Sequence, residues 1–151
     1  MSTPDVGDLA PEFTLPSTKG PVTLSERLKA GPVLLVFYPG DDTPVCTKQL
    51  CDYRDNVSFF EGLKIQVVAL NPQSEASHTK FAEKHRFPFP VAADANGEVS
   101  RAYGARGVFG VTKRALVLIG RDGRIVWRKT DFALFFESTD DLRRVLSDLA
   151  L

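Results

Sequence analysis

Residues 33–38 read Val-Leu-Leu-Val-Phe-Tyr, six apolar side chains in a row, closed by Pro39 and Gly40. Successive side chains of a strand point to opposite faces, so a strand with one face in water shows every second residue polar. This run has no such alternation. It is also far too short to cross a bilayer, which takes about 20 apolar residues. It reads as a central strand covered on both faces, and such a strand needs a layer of structure on either side. Residues 63–70, Leu-Lys-Ile-Gln-Val-Val-Ala-Leu, read as a second buried strand. With 151 residues, 43% of them hydrophobic, the chain can bury one such core, and we expect a single domain over residues 1–151.

Turn and cap residues set the order of the other elements. Residues 10–25 read as two short strands around Lys19-Gly20. After the turn "GDDT", Thr43 is placed to cap a helix with Pro44 at its first position, where a missing N–H costs nothing. That helix is expected to run to about Glu61 and stop at Gly62. Residues 74–86 form a polar helical pattern, 87–94 a short extended segment, and 97–105 a short helix ending near Gly104. Residues 114–120 and 124–130 are strands joined through Asp122-Gly123, a strong hairpin signal. Ser138 or Thr139 caps a last helix with Leu142, Val145, Leu146 and Leu149 on one face. The expected class is α/β, with a mixed central sheet flanked by helices and an N-terminal β-hairpin, which is the order of the thioredoxin-like fold. In such sheets function sits beyond the carboxyl ends of the strands. The turn after residue 38 is such a place.

Lys+Arg and Asp+Glu each number 19, so the net charge is zero and gives no general pull toward nucleic acid or an anionic membrane. Neither is an expected partner. The opening "MSTPDVGDLAPEF" has no basic region followed by an apolar one, so the expected location is a reducing cytoplasm. In that compartment paired cysteines are more often catalytic or metal-binding than structural.

The chain has two cysteines, Cys46 and Cys51, with four residues between them. If Thr43 caps the helix, Cys46 lies in its first turn, where unpaired N–H groups and the positive end of the dipole favour a thiolate. Five residues along an ideal helix separate the Cα atoms by about 8–9 Å. A disulfide needs less than about 7 Å. The two sulfurs therefore cannot bond until at least a turn of helix unwinds. That favours chemistry in two steps, in which a thiolate is first oxidised to a sulfenic acid and a second thiol then converts it to a disulfide.

At this point the segment "YPGDDTPVCTKQLC", residues 38–51, resembles the active site of peroxiredoxins. Their signature Pro-x3-Thr/Ser-x2-Cys is met by Pro39, Thr43 and Cys46. The gap to a second cysteine on the same helix is similar to the bacterioferritin comigratory protein, or peroxiredoxin Q, subfamily. The resemblance continues in "GDLAPEFTLPSTKG", "FAEKHRFPFPVAAD" and "RALVLIGRDGRIV", and so spans nearly the whole chain. It implies a thiol peroxidase acting on hydrogen peroxide and organic hydroperoxides. By that resemblance Cys46 attacks the peroxide and Cys51 closes an intramolecular Cys46–Cys51 disulfide. Thr43 would bond the thiolate or peroxide through its hydroxyl, Pro39 would shield it from water, and Arg114 would hold the thiolate and polarise the peroxide. Thioredoxin or a similar dithiol would recycle the enzyme. No metal, haem or flavin is implied, and with the resolving thiol in the same helix a monomer suffices. The chain departs from the family's common pattern at Gly40-Asp41, Val45 and Asn71-Pro72.

A thioredoxin-like thiol-disulfide oxidoreductase needs C-x2-C and a proline leading the late strand, where this chain has Lys113-Arg114. A metal site built from Cys46, Cys51, His78 and His85 has its histidines seven apart, outside the usual spacing, and both are expected to be solvated. A cysteine hydrolase needs a histidine beside Cys46. A non-enzymatic, redox-sensing binding module would use the cluster Phe132, Phe135 and Phe136, which is expected to pack as core or as a lid unless it is exposed.

Overall fold

In the computed structural model, residues 3–107, 110–132 and 135–149 are described. The run read as a central strand is β3, Val33–Phe37, in the middle of a five-stranded sheet of order β5-β4-β3-β6-β7. Its neighbours are β4 (Gln66–Asn71), parallel, and β6 (Arg114–Ile119), antiparallel. β5 (Val91–Ala93) lies parallel to β4, and β7 (Ile125–Asp131) antiparallel to β6, so the sheet is mixed as expected. Outside it, β1 (Thr14–Leu15) and β2 (Val22–Thr23) form the N-terminal hairpin.

The absence of alternation in β3 has a direct structural cause. Leu34, Val36 and Tyr38 enter one core with Leu50 and Tyr53 of α2 (Pro44–Asp55), Phe60 of α3 (Val57–Gly62), Phe81 of α4 (Glu75–His85), and Leu142 and Leu146 of α6 (Thr139–Leu146). Val33, Leu35 and Phe37 enter a second core with Phe13, Leu24 and Leu28 of α1 (Leu24–Leu28), Val99 of α5 (Glu98–Ala102), and Tyr103. Each face of the strand has its own covering layer, so a polar residue at any position would be desolvated.

Three local expectations differ from the structure. The helix expected from Thr43 to about Glu61 is two helices, α2 and α3. Asn56 breaks it with φ −118° and ψ 25°, and its amide donates to the Asp52 carbonyl at 2.8 Å, competing with the backbone for that acceptor. The helical region does end at Gly62, as expected, but the chain then turns through Lys64, φ 60°, so β4 begins at Gln66 and not at Leu63. Finally, α1 follows the hairpin directly, its Leu24 and Leu28 buried one turn apart. The last helix matches its reading: the Ser138 hydroxyl accepts from the Asp141 N–H, and the Asp141 carboxylate accepts from the Ser138 N–H.

Candidate active site

The carboxyl end of β3 runs through Tyr38, Pro39 and Gly40 into the N-terminus of α2. Asp42 turns the chain with a left-handed φ of 58°, a conformation that Asp tolerates better than most residues. Thr43 is the residue before the helix, as expected, and Pro44 is its first member. The first helical hydrogen bond is Thr47 N–H to the Thr43 carbonyl at 2.9 Å. The Thr43 side chain, however, does not cap the helix. It is exposed, and its hydroxyl donates to the Gly40 carbonyl at 3.0 Å. That hydroxyl fastens the turn and does not touch Cys46, and the first-turn N–H groups stay clear of it.

Cys46 lies in this first turn, 1% exposed. Its Sγ accepts from Arg114 Nη2 at 3.2 Å. Arg114 is the first residue of β6, the antiparallel neighbour of β3, so a strand pairing delivers the guanidinium to the end of α2. Its Nη1 donates to Gln49 Oε1 at 2.6 Å. Gln49 Nε2 donates to the Tyr53 hydroxyl at 3.1 Å, and that hydroxyl donates to the Glu137 carbonyl at 2.6 Å. Cys46, Gln49 and Tyr53 are spaced i, i+3 and i+7, one face of α2, and all three are buried. The sequence reading missed Gln49 and Tyr53, although this spacing is the signal that places them beside Cys46. Burial holds the Tyr53 hydroxyl well above the usual phenol range, so it stays a protonated donor in this chain of bonds.

The turn itself is held from behind. The Tyr38 hydroxyl donates to Asp41 Oδ1 at 2.5 Å, the Ser77 hydroxyl to Oδ2 at 2.6 Å, and His78 Nδ1 lies 2.7 Å from Oδ2. Burial pushes the Asp41 carboxyl up, but the bonds from His78, Ser77 and Tyr38 outweigh it and hold the group below the ordinary carboxylate range. His78 is therefore not solvated as expected: it is fully buried and ties α4 to the active-site turn.

Cys51 is on the same unbroken helix, and both cysteines are free thiols. Burial, together with the nearby Asp55 and against the pull of Arg54, keeps the Cys51 thiol above its ordinary range. His85, the other histidine expected in solvent, lies against it with Nδ1 3.7 Å from Sγ. No imidazole bonds Cys46, whose partner is Arg114. Among the described residues no group of three His, Cys, Asp or Glu side chains is arranged to hold a metal.

A cleft of about 480 Å³ opens beside the site, walled by Pro39, Thr112, Arg114, Thr130, Asp131 and Phe132 among others. Pro39 is half-buried on the wall of this cleft. The Thr112 hydroxyl is buried without a hydrogen-bond partner, a further polar group that the sequence did not flag. Phe132 and Phe135 are 83% and 66% exposed and Phe136 is half-buried, so the cluster is not core, and Phe132 forms part of the cleft's rim; residues 133–134 lie outside the described residues.

Comparison with known proteins bears on this geometry. Residues 6–128 match the model of the AhpC/TSA family. The chain is 36% identical over 134 residues to a putative peroxiredoxin bcp of Coxiella burnetii, covering 83% of this chain and 89% of that protein. It is 40% identical over 99 residues to a chloroplastic peroxiredoxin Q of Sedum lineare, covering 65% of this chain. The match spans about half the length of such chloroplastic relatives, 53% of the Sedum protein. The crystal structure of peroxidoxin BcpB from Mycobacterium tuberculosis superposes with a TM-score of 0.84 at 33% identity, covering 95% of each chain. With the fold, the family match and these relatives in agreement, the chain belongs to the AhpC/TSA family, among its peroxiredoxins of the Q and bcp kind.

Proposed function

We propose that this chain is a thiol peroxidase that reduces hydrogen peroxide and organic hydroperoxides. The observation that carries the reading is the Arg114 guanidinium 3.2 Å from Cys46 Sγ, with a second free thiol five residues on in an intact helix. A fixed positive charge beside a sulfur favours its anion, and only the anion attacks an O–O bond effectively. In the first step Cys46 sulfur bonds the near peroxide oxygen as the O–O bond breaks. The leaving oxygen takes a proton and departs as water or alcohol. Donors on the peroxide oxygens lower this barrier as charge moves outward. The Arg114 guanidinium and the first-turn N–H groups of α2 serve there. The Thr43 hydroxyl joins them on leaving Gly40, and Pro39 keeps bulk water away.

In the second step α2 opens near its start and Cys51 displaces the sulfenic oxygen, closing the Cys46–Cys51 disulfide. Thioredoxin or a similar dithiol returns both thiols. The apolar rim with Phe132 suits organic hydroperoxides alongside hydrogen peroxide. Nothing in this cycle requires a second subunit, so the reading includes a monomer, working in a reducing cytoplasm. Mass analysis after one equivalent of peroxide tests it. The expected product has lost two hydrogens and yields a peptide linking Cys46 to Cys51. Unconsumed peroxide with both thiols intact would sink the reading, and so would retained turnover in Cys46→Ser.

A further inference from the structure

The proposed cycle leaves one chemical need unmet. Cys51 has to attack as a thiolate, yet its thiol is half-buried and held in the protonated form. Arg114 serves Cys46, so the base for the second step must come from elsewhere.

His85 is the last residue of α4, and its Nδ1 lies 3.7 Å from Cys51 Sγ, within reach of a hydrogen bond to sulfur. Its ring is fixed by stacking on Phe87, with centroids 5.5 Å apart at 22°, and by the edge of Phe81 at 5.3 Å. The backbone of the same residue is pinned to α2, since Arg54 Nη1 donates to the His85 carbonyl at 2.7 Å. On the far side of the ring, Nε2 is buried with no hydrogen-bond partner, and Asp42 Oδ1 lies 3.7 Å away. A carboxylate on that side favours the tautomer with its proton on Nε2. Nδ1 is then the bare nitrogen, facing the Cys51 thiol. Asp42 sits in the turn before α2 and is also paired with Lys84 at 3.0 Å. The ionisable groups around the ring are therefore Cys51, Arg54 and Asp55 from α2, Asp42 from the turn, and Lys84 from α4 itself.

We propose that His85 is a catalytic residue of the resolving step, the general base that takes the proton from Cys51. The inference rests on the reading of Cys51 as the resolving thiol. The Cys51 S–H bond breaks and the proton passes to Nδ1. As α2 opens, the thiolate electron pair forms the S–S bond to Cys46 while the Cys46 S–O bond breaks. The leaving hydroxide takes up the proton from His85, through solvent, and departs as water. Cys51 sulfur is oxidised, the sulfenic sulfur of Cys46 is reduced, and the imidazole ends neutral. The arrangement runs Cys51–His85–Asp42, a thiol, a base and a carboxylate in order. It serves the second cysteine, where a Cys–His pair would ordinarily be sought at the first.

The test follows disulfide formation by rapid quench and mass analysis after one equivalent of hydrogen peroxide. It compares the full chain with His85→Gln and His85→Asn, with the rate of Cys46 oxidation as the internal reference. General-base loss slows a step by about 10²-fold, and at least about tenfold slower disulfide formation is expected at pH 7. In the unaltered chain the rate should fall on acidification, as general-base catalysis requires. In the variants that dependence disappears, and the rate rises only where the Cys51 thiol ionises by itself. A second measurement avoids the opening of α2: in Cys46→Ser, iodoacetamide alkylates Cys51, and adding His85→Gln should slow this at pH 7 by a similar factor. An unchanged rate of resolution, a slower rate with the same pH profile, or equal alkylation would each overturn the role of His85. If the unaltered chain forms no Cys46–Cys51 disulfide, the peroxidase cycle fails first and the role of His85 falls with it.

Discussion

Arg114 binds two acceptors at once, Cys46 Sγ through Nη2 and Gln49 Oε1 through Nη1. Only a planar fork does this, since an ammonium on a flexible stem cannot hold both in fixed directions. Arg114→Lys is therefore expected to behave like loss of a donor. The second-order rate of Cys46 oxidation should fall about 10²-fold, as when one preorganised donor is removed from a charged transition state. Stopped-flow oxidation by hydrogen peroxide measures it, and a rate within a few-fold of the unaltered chain would remove Arg114 from the chemistry. Gln49 is a positioning residue: it holds Arg114 while Tyr53 holds Gln49. Gln49→Met keeps the volume but loses the acceptor, and a smaller fall is expected, about tenfold, or one hydrogen bond's worth of orientation. A rate equal to that of the unaltered chain would show that Arg114 needs no such support. At this scale Cys46, Pro39 and Arg114 were legible because a local motif and a strand start name them. Gln49 was half-legible from its helical spacing. His78 and His85 were misread as solvated, because α4 looks polar in isolation and only the packing of α4 on α2 and the turn buries His78 and half-covers His85.

Helix α2 has two ends with different holds. Near its C-terminus Asp52 Oδ2 accepts from the Thr139 N–H at 2.6 Å and from its hydroxyl at 2.8 Å, which binds α2 to the start of α6. Arg54 binds it to α4. At the N-terminal end the Thr43 side chain supplies no cap. Unwinding should therefore begin at Cys46 and stop short of Asp52. The region that opens contains the buried Cys46, Gln49 and Leu50; exposing Leu50 costs about 1.5–3 kcal/mol, and breaking the two side-chain hydrogen bonds of Gln49 about 0.5–1.5 kcal/mol each. Together these stay below the middle of the usual global stability range of about 5–15 kcal/mol, so α2 opens locally without unfolding the chain. Hydrogen exchange of the oxidised protein should rise at residues 47–51 and stay near the reduced level in α6. Unchanged protection at 47–51 would contradict the opening, and equal loss in α6 would mean that the anchor at Asp52 does not hold. The sequence showed the start of this helix through Thr43 and Pro44. It did not show the break at Asn56, where a side-chain amide overrides an otherwise helical pattern. Nor did it show α1, whose five residues are too few for a period to be read.

Across the whole molecule, the strand order β5-β4-β3-β6-β7 puts the β3–β6 pair at the centre, so Cys46 and Arg114 meet over the best-buried part of the sheet. The class of this sheet was legible from an apolar run without alternation. The identity of the side chains that fill its two cores was less so, because Tyr reads as readily for a surface as for an interior. Tyr38, Tyr53 and Tyr103 are all fully buried, and their hydroxyls donate to Asp41, to the Glu137 carbonyl and to the Pro11 carbonyl. Burial, aided in each case by nearby carboxylates, raises all three above the ordinary phenol range. Below about pH 10 these tyrosines are protonated in both folded and unfolded chains, and they give stability no pH dependence. Above it the unfolded chain loses three protons that the folded chain keeps, so stability falls by about 1.4 kcal/mol per pH unit for each, or about 4 together. A chain of ordinary stability should thus unfold between about pH 11 and 13. The tyrosine absorbance change at 295 nm should then appear together with loss of ellipticity, in one cooperative step. Ionisation of these tyrosines near pH 10 in a chain that stays folded would show that their hydroxyls reach water. The hydrogen-bond chain that runs from Arg114 through Gln49 to Tyr53 would then be open to solvent, and with it the support of the charge beside Cys46.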